Sequence, residues 1–202
     1  MADTGWVIAT SYNNVAGSDT DWVSQTAMLT PAGTTDYLAC TGFGLSVSGL
    51  ANIDGIEVKI GRQKSFGTGN VRDYEIKLWH FTSAGLSSNK ADTGTNWPGS
   101  MTDATYGGAT ELWGKTWDSS DTNDSSFGVY IKANEVGGTG AATAVVGDVY
   151  VKVYYTLADL TWVSALLAHL ASTSSQVTSG NASGGIGSYT GRSSSRHVPI
   201  GY

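Results

Sequence analysis

Val149-Tyr150-Val151-Lys152-Val153-Tyr154-Tyr155 alternates an apolar with a polar or aromatic residue at every step. Val149, Val151, Val153 and Tyr155 fall on one face of an extended chain, and Tyr150, Lys152 and Tyr154 on the other. A period of two is the mark of a strand with one buried side. Three more stretches repeat it. Ile56, Val58 and Ile60 alternate with Glu57 and Lys59. Tyr74, Ile76 and Leu78 alternate with Asp73, Glu75 and Lys77. Phe127, Val129 and Ile131 alternate with Gly128, Tyr130 and Lys132. Trp6 to Ala9, Asp36 to Val47 and Thr110 to Gly114 are less regular strand candidates. Seven or eight strands separated by Gly, Asn, Asp and Ser clusters, with no helical period between them, predict an all-β fold. An antiparallel, jelly-roll-like β-sandwich tolerates the long loops this spacing needs.

Composition agrees. The chain has 202 residues, enough for one well-filled core. Charged residues make up only 14%, and 27 glycines, seven tryptophans and ten tyrosines stand in their place. That is too aromatic for a disordered chain and too poor in Lys and Glu for long solvated helices. The formal net charge of -6 sets the surface against phosphate backbones, so nucleic acid is not an expected partner. No run approaches the roughly 18 apolar residues of a membrane span. The N-terminus Met1-Ala2-Asp3-Thr4-Gly5-Trp6 lacks the basic and apolar regions of a secretory signal, which implies synthesis in a cytosol.

Chemistry is sparse. Cys40 is the sole cysteine and sits in the apolar run Tyr37-Leu38-Ala39-Cys40, where a buried, inert thiol is expected. His80, His169 and His197 show no metal-ligand spacing. Gly187-Ser188-Tyr189-Thr190-Gly191 has Tyr where a hydrolase elbow carries its nucleophile. No phosphate loop or dinucleotide glycine pattern occurs, so neither catalysis, a cofactor nor a catalytic metal is expected. Asp118, Asp121, Asn123 and Asp124 are oxygen ligands dense enough for calcium, but they are also ordinary turn formers and lack the EF-hand glycine and terminal Glu. Trp97, Trp113 and Trp117 cluster with Tyr106 in one loop-rich stretch. They either plug an open end of the sandwich or form a stacking platform for sugars.

The pattern changes after Thr156, giving three expected segments: a sandwich over 1–156, an amphipathic helix over 157–171 and an extended Gly/Ser/Thr-rich arm over 172–202. Leu160, Val163, Leu167 and Leu170 form one helical stripe, a candidate oligomer seam. The arm has few side chains to offset an ordering cost on the order of 1 kcal/mol per residue. It is therefore expected to clamp neighbouring chains, through Val177, Ile186, Tyr189, Arg192 and Arg196. Charge favours that contact mildly: Met1 to Val58 holds six acids and no Lys or Arg, whereas after Asp159 only Arg192 and Arg196 are charged.

Several strings together carry a family likeness: Ile53-Asp54-Gly55-Ile56-Glu57-Val58, Val71-Arg72-Asp73, Asn89-Lys90-Ala91, Tyr106-Gly107-Gly108, Glu111-Leu112-Trp113-Gly114, Phe127-Gly128-Val129 and Val151-Lys152-Val153-Tyr154-Tyr155-Thr156. In this order, over roughly Trp6 to Thr156, the chain resembles jelly-roll-like structural proteins of tailed bacteriophages and prophage regions. The resemblance implies a non-enzymatic virion component made in the host cytoplasm. A capsid decoration (cement) protein is expected first, bound to the major capsid protein or another virion protein and forming a homo-oligomer, with a trimer favoured. The alternative is a carbohydrate-binding module of a tail fibre or surface appendage.

Overall fold

The computed structural model describes residues 1–80, 85–160 and 163–171. The chain divides into two units, Met1–Ala158 and Asp159–Tyr202. The first unit is an all-β, jelly-roll-like sandwich of two antiparallel sheets. Its strands are β1 (Ala2–Asp3), β2 (Val7–Ile8), β3 (Ser11–Val15), β4 (Thr26–Leu29), β5 (Tyr37–Thr41), β6 (Ala51–Gly67), β7 (Asn70–His80), β8 (Gly85–Leu86), β9 (Thr102–Gly107), β10 (Gly128–Val136) and β11 (Ala142–Leu157). One short helix, α1 (Ser119–Asn123), interrupts them.

The first sheet is built on the longest pair. β6 and β11 run antiparallel from Ala51↔Leu157 to Gly67↔Ala142. Ile56, Val58 and Ile60 of β6 and Val149, Val151 and Val153 of β11 turn inward and are at most 1% exposed. β9 extends this sheet beyond β6, and β1, β2 and β4 pair along the far side of β11. The second sheet has the order β3-β5-β10-β7-β8 and contributes Leu38, Cys40, Ile76, Leu78, Val129 and Ile131 to the same core. Burial of Cys40 drives its thiol upward, so it stays a protonated packing group.

Five sequence expectations need correction. Trp6 to Ala9 and Asp36 to Val47 each hold a strand, but it covers only Val7–Ile8 and Tyr37–Thr41. Thr110 to Gly114 is not a strand. Turn bonds from Glu111 N to Gly108 O and from Lys115 N to Leu112 O fold it, and Trp113 takes a positive φ of 56°. In β7 the register slips opposite Lys132/Ala133, so Asp73 turns inward at 0% exposure and Tyr74 outward at 44%. The helix expected over 157–171 is shorter: Leu157 closes β11, and residues 163–171 are helical.

Loop aromatics close one end of the core. Trp117 packs edge-on against Phe127 with centroids 5.7 Å apart, and Phe43 meets the same ring at 6.0 Å. Deeper in, a polar network ties loop to sheet. Asp73 Oδ1 accepts from Arg62 Nη1 at 2.6 Å and Trp97 Nε1 at 2.7 Å, and its Oδ2 accepts from Tyr106 OH at 2.8 Å and Asp92 N at 3.0 Å. The buried carboxylate thus has donors on both oxygens, the condition under which a buried charge is tolerated.

A candidate aromatic binding face

The alternation that buries Val149, Val151 and Val153 must send Tyr150, Lys152 and Tyr154 to the outside of the first sheet. Register then sets their neighbours: Tyr150 faces Lys59, Lys152 faces Glu57, and Tyr154 faces Gly55. On the next strand Thr105 lies beside Lys59, and Asp103 beside Gly61. The opposite flank is the N-terminal segment, held on β11 by Asp3↔Tyr154, Val7↔Val151 and a bond from Thr4 N to Val153 O. This segment lays Trp6 over the outward face.

Trp6 is gripped by cations. The Lys59 ammonium lies 5.0 Å from its ring centroid and the Lys152 ammonium 4.5 Å. The same two groups reach Tyr150 at 4.5 Å and Tyr154 at 5.6 Å. Cation–π contacts at partly exposed sites contribute on the order of 0.5–1 kcal/mol each. Both lysines rise from the sheet below, and Trp6 remains 37% exposed. The ring is therefore held in place yet open to solvent.

Carboxylates balance the lysines. Lys59 pairs with Asp103 at 3.6 Å and Lys152 with Glu57 at 4.0 Å. Tyr154 OH donates to Glu57 Oε2 at 2.7 Å, and this bond pushes the phenol up to about 12. Tyr150 OH donates to Asp148 Oδ2 at 3.2 Å and is raised for the same reason. At neutral pH the face thus offers flat rings and fixed hydroxyl, ammonium and carboxylate groups with little net charge. Among the described residues no group of three or more His, Cys, Asp or Glu is placed to hold a metal ion.

The second sheet also carries outward aromatics, but they use one another. Trp79 stacks on Tyr130 at 5.8 Å and 28°, and Tyr37 meets Tyr130 edge-on at 5.8 Å. Lys77 and Lys132 there are paired with Glu75 at 2.7 Å and with Asp19 at 2.8 Å. Those three rings contact one another, whereas Trp6 is held by lysine ammonium groups.

The sequence-predicted positions fall elsewhere. Trp97, Trp113 and Trp117 are at most 4% exposed and form no sugar platform. Their indole N–H groups donate to Asp73 Oδ1, Ile56 O and Leu112 O, so they are buried packing rings between loops and sheets. Asp118 caps α1, accepting from Ser120 N and Asp121 N, and Asp121 returns a bond to Asp118 N. Asp124 accepts from Ser126, and Asn123 bridges both backbone groups of Val47. The acidic turn is a helix cap and staple. In the second unit Leu160 and Leu167 are exposed at 42% and 61%, and Leu170 at 54%, with Val163 half-buried. The arm positions Val177, Ile186, Tyr189, Arg192 and Arg196 lie outside the described residues. Sequence reasoning missed Trp6 because only its strand was read, not its neighbours. The available signal was the outward Tyr-Lys-Tyr of β11.

No family model and no curated protein matches this chain. Among solved structures it is similar to the CBM22-1 xylan-binding domain of Paenibacillus barcinonensis Xyn10C, at a TM-score of 0.33 and 9% identity over 74% of this chain and 85% of that one. It is similar to the CBM22-1-GH10 modules of Clostridium thermocellum xylanase Xyn10B, complexed with xylohexaose, at a TM-score of 0.29 and 8% identity over 73% of this chain and 26% of that one. A xylan-binding module, CBM15, gives a TM-score of 0.28 and 16% identity over 74% and 90%. Overlaps this loose carry no functional argument.

Proposed function

We propose that the first unit is a non-catalytic carbohydrate-binding module that holds an uncharged glycan on the outer face of the β6–β11 sheet. The observation that carries this reading is the exposed Trp6 ring, fixed over Lys59 and Lys152 and flanked by Tyr150 and Tyr154. Sugar rings present C–H faces to aromatic rings and hydroxyls to polar groups around them, and this surface supplies both. Because Asp103 and Glu57 balance the two lysines, the face favours neutral over anionic sugars. Binding by the full chain to neutral oligosaccharides on a glycan array tests it, with Trp6→Ala as the control. Silence across neutral glycans contradicts it.

A second reading keeps the virion role implied by the family likeness, with the module displayed on a phage particle through self-association. Leu166 and Leu167, 49% and 61% exposed in the second unit, favour it. The two readings are compatible, since a displayed module can also bind glycans.

A further inference from the structure

The N-terminal segment that carries Trp6 on one side lines a groove of about 370 Å³ on the other. Asp3, Thr4 and Val7 form one wall, the segment Gly44–Ser46 the second, and Tyr155 the third. That volume lies at the low end of small-ligand sites, room for a sugar ring or two. Leu45 is 7% exposed and seats the groove on the core, whereas Gly44 and Ser46 are open to solvent.

The lining chemistry selects a ligand class. It offers the hydroxyls of Thr4, Ser46 and Tyr155, with no Lys, Arg or His; Asp3, opposite the outward Tyr154 in register, directs its carboxylate to the Trp6 side. Asp3 is fixed, since its Oδ1 accepts Gly5 N–H at 2.8 Å. Thr4 is fixed too: its hydroxyl donates to Gly5 O at 2.9 Å and accepts from Val153 N at 3.1 Å. A lining without a cation offers an acidic sugar no ion pair to offset the cost of desolvating its charge. Val7 and Leu45 give the apolar patch that C–H faces need.

The geometry points to this groove as a second subsite, for one uncharged terminal or branching sugar of the glycan that lies on Trp6. The assignment rests on the carbohydrate reading and adds to it a preference for neutral over uronic-acid units. Residues 3–7 form the wall between platform and groove, so one glycan reaches both by turning over the sheet edge.

Amide and indole shifts in nitrogen-15 NMR, followed in titrations with D-glucose, D-xylose and D-glucuronate, test it. The expected result is saturable movement of the Gly44, Leu45 and Ser46 amides with a neutral sugar and none with glucuronate. Ser46→Trp, an exposed substitution that fills the groove, should abolish that movement and leave the Trp6 indole response intact. If Trp6 responds while residues 44–46 stay still, or if glucuronate moves them as well as glucose does, the subsite is overturned and the platform stands. If neither Trp6 nor the groove responds to any sugar, both readings fall.

Discussion

Arg62 Nη1 lies 2.6 Å from Asp73 Oδ1 inside the sandwich, with Asp73 0% exposed. Arg62 also donates to Tyr106 OH at 2.9 Å, and that hydroxyl donates to Asp73 Oδ2. Strands β6, β7 and β9 and the Trp97 loop therefore share one carboxylate. Removing one partner of such a pair leaves a buried charge. Arg62→Ala is expected to cost roughly 3–5 kcal/mol, read as a lower urea midpoint. A loss below about 1 kcal/mol would show that water reaches Asp73 without the arginine.

Trp113 is fully buried and its indole donates to Ile56 O at 2.8 Å. Trp113→Ala is expected to destabilise the fold by about 3–5 kcal/mol. Trp6→Ala removes two exposed cation–π contacts, about 1–2 kcal/mol together, and opens no cavity, so it should cost clearly less than Trp113→Ala. A calorimetric scan of both variants separates a core ring from a surface ring. Equal losses would contradict that division.

The acid side has a specific contributor. The Lys90 ammonium, 2.8 Å from Glu111 Oε2, holds the Glu111 carboxyl below its usual range, helped by the Trp113 N–H. A group with a depressed folded pKa stabilises above its unfolded value, and the benefit is lost as pH falls through the folded one. Glu111→Gln should therefore be less stable than the parent at neutral pH and equal to it in acid. A gap that persists at low pH would assign the loss to something other than charge.

On the alkaline side the sign reverses. Tyr154 is raised to about 12 by its bond to Glu57, so it stays protonated after unfolded tyrosines ionise. Its contribution is complete below the ordinary tyrosine value and declines as pH climbs toward about 12. Phenolate absorbance should show a late-titrating tyrosine that Tyr154→Phe removes. An unchanged titration would contradict the hydrogen bond.

How far the sequence reached depends on what fixed each element. Strands Ile56–Ile60, Val129–Ile131 and Val149–Val153 were legible because one face is buried, which writes a period of two into the residues. Asp73 and Tyr74 broke the pattern because a bulge swaps faces without a local signature. β1 and β2 are two residues each and exist by pairing with β11, which no local window contains. The candidate face was not read from the sequence for a related reason. Tryptophan clustering marks a packed loop layer as readily as a platform, and only burial tells them apart. Trp6 becomes a site through Lys59 and Lys152, 53 and 146 positions away in sequence.

The exposed leucines of the second unit give the self-association reading a test of its own. Leu160, Leu166 and Leu167 expose 42%, 49% and 61% of their surface, an apolar load that a nine-residue helix over 163–171 cannot hide alone. Light scattering should find the full chain associated, a chain ending at Ala158 monomeric, and Leu167→Glu shifted toward monomer. A monomeric full chain would contradict a self-associating role.

The most direct test of the account is affinity electrophoresis of the parent and Trp6→Ala through gels containing neutral polysaccharides. At least one polysaccharide is expected to retard the parent, and Trp6→Ala to weaken binding about tenfold, equivalent to about 1.4 kcal/mol, with the fold intact. Retardation unchanged by Trp6→Ala, or no retardation by any neutral polysaccharide, would contradict it.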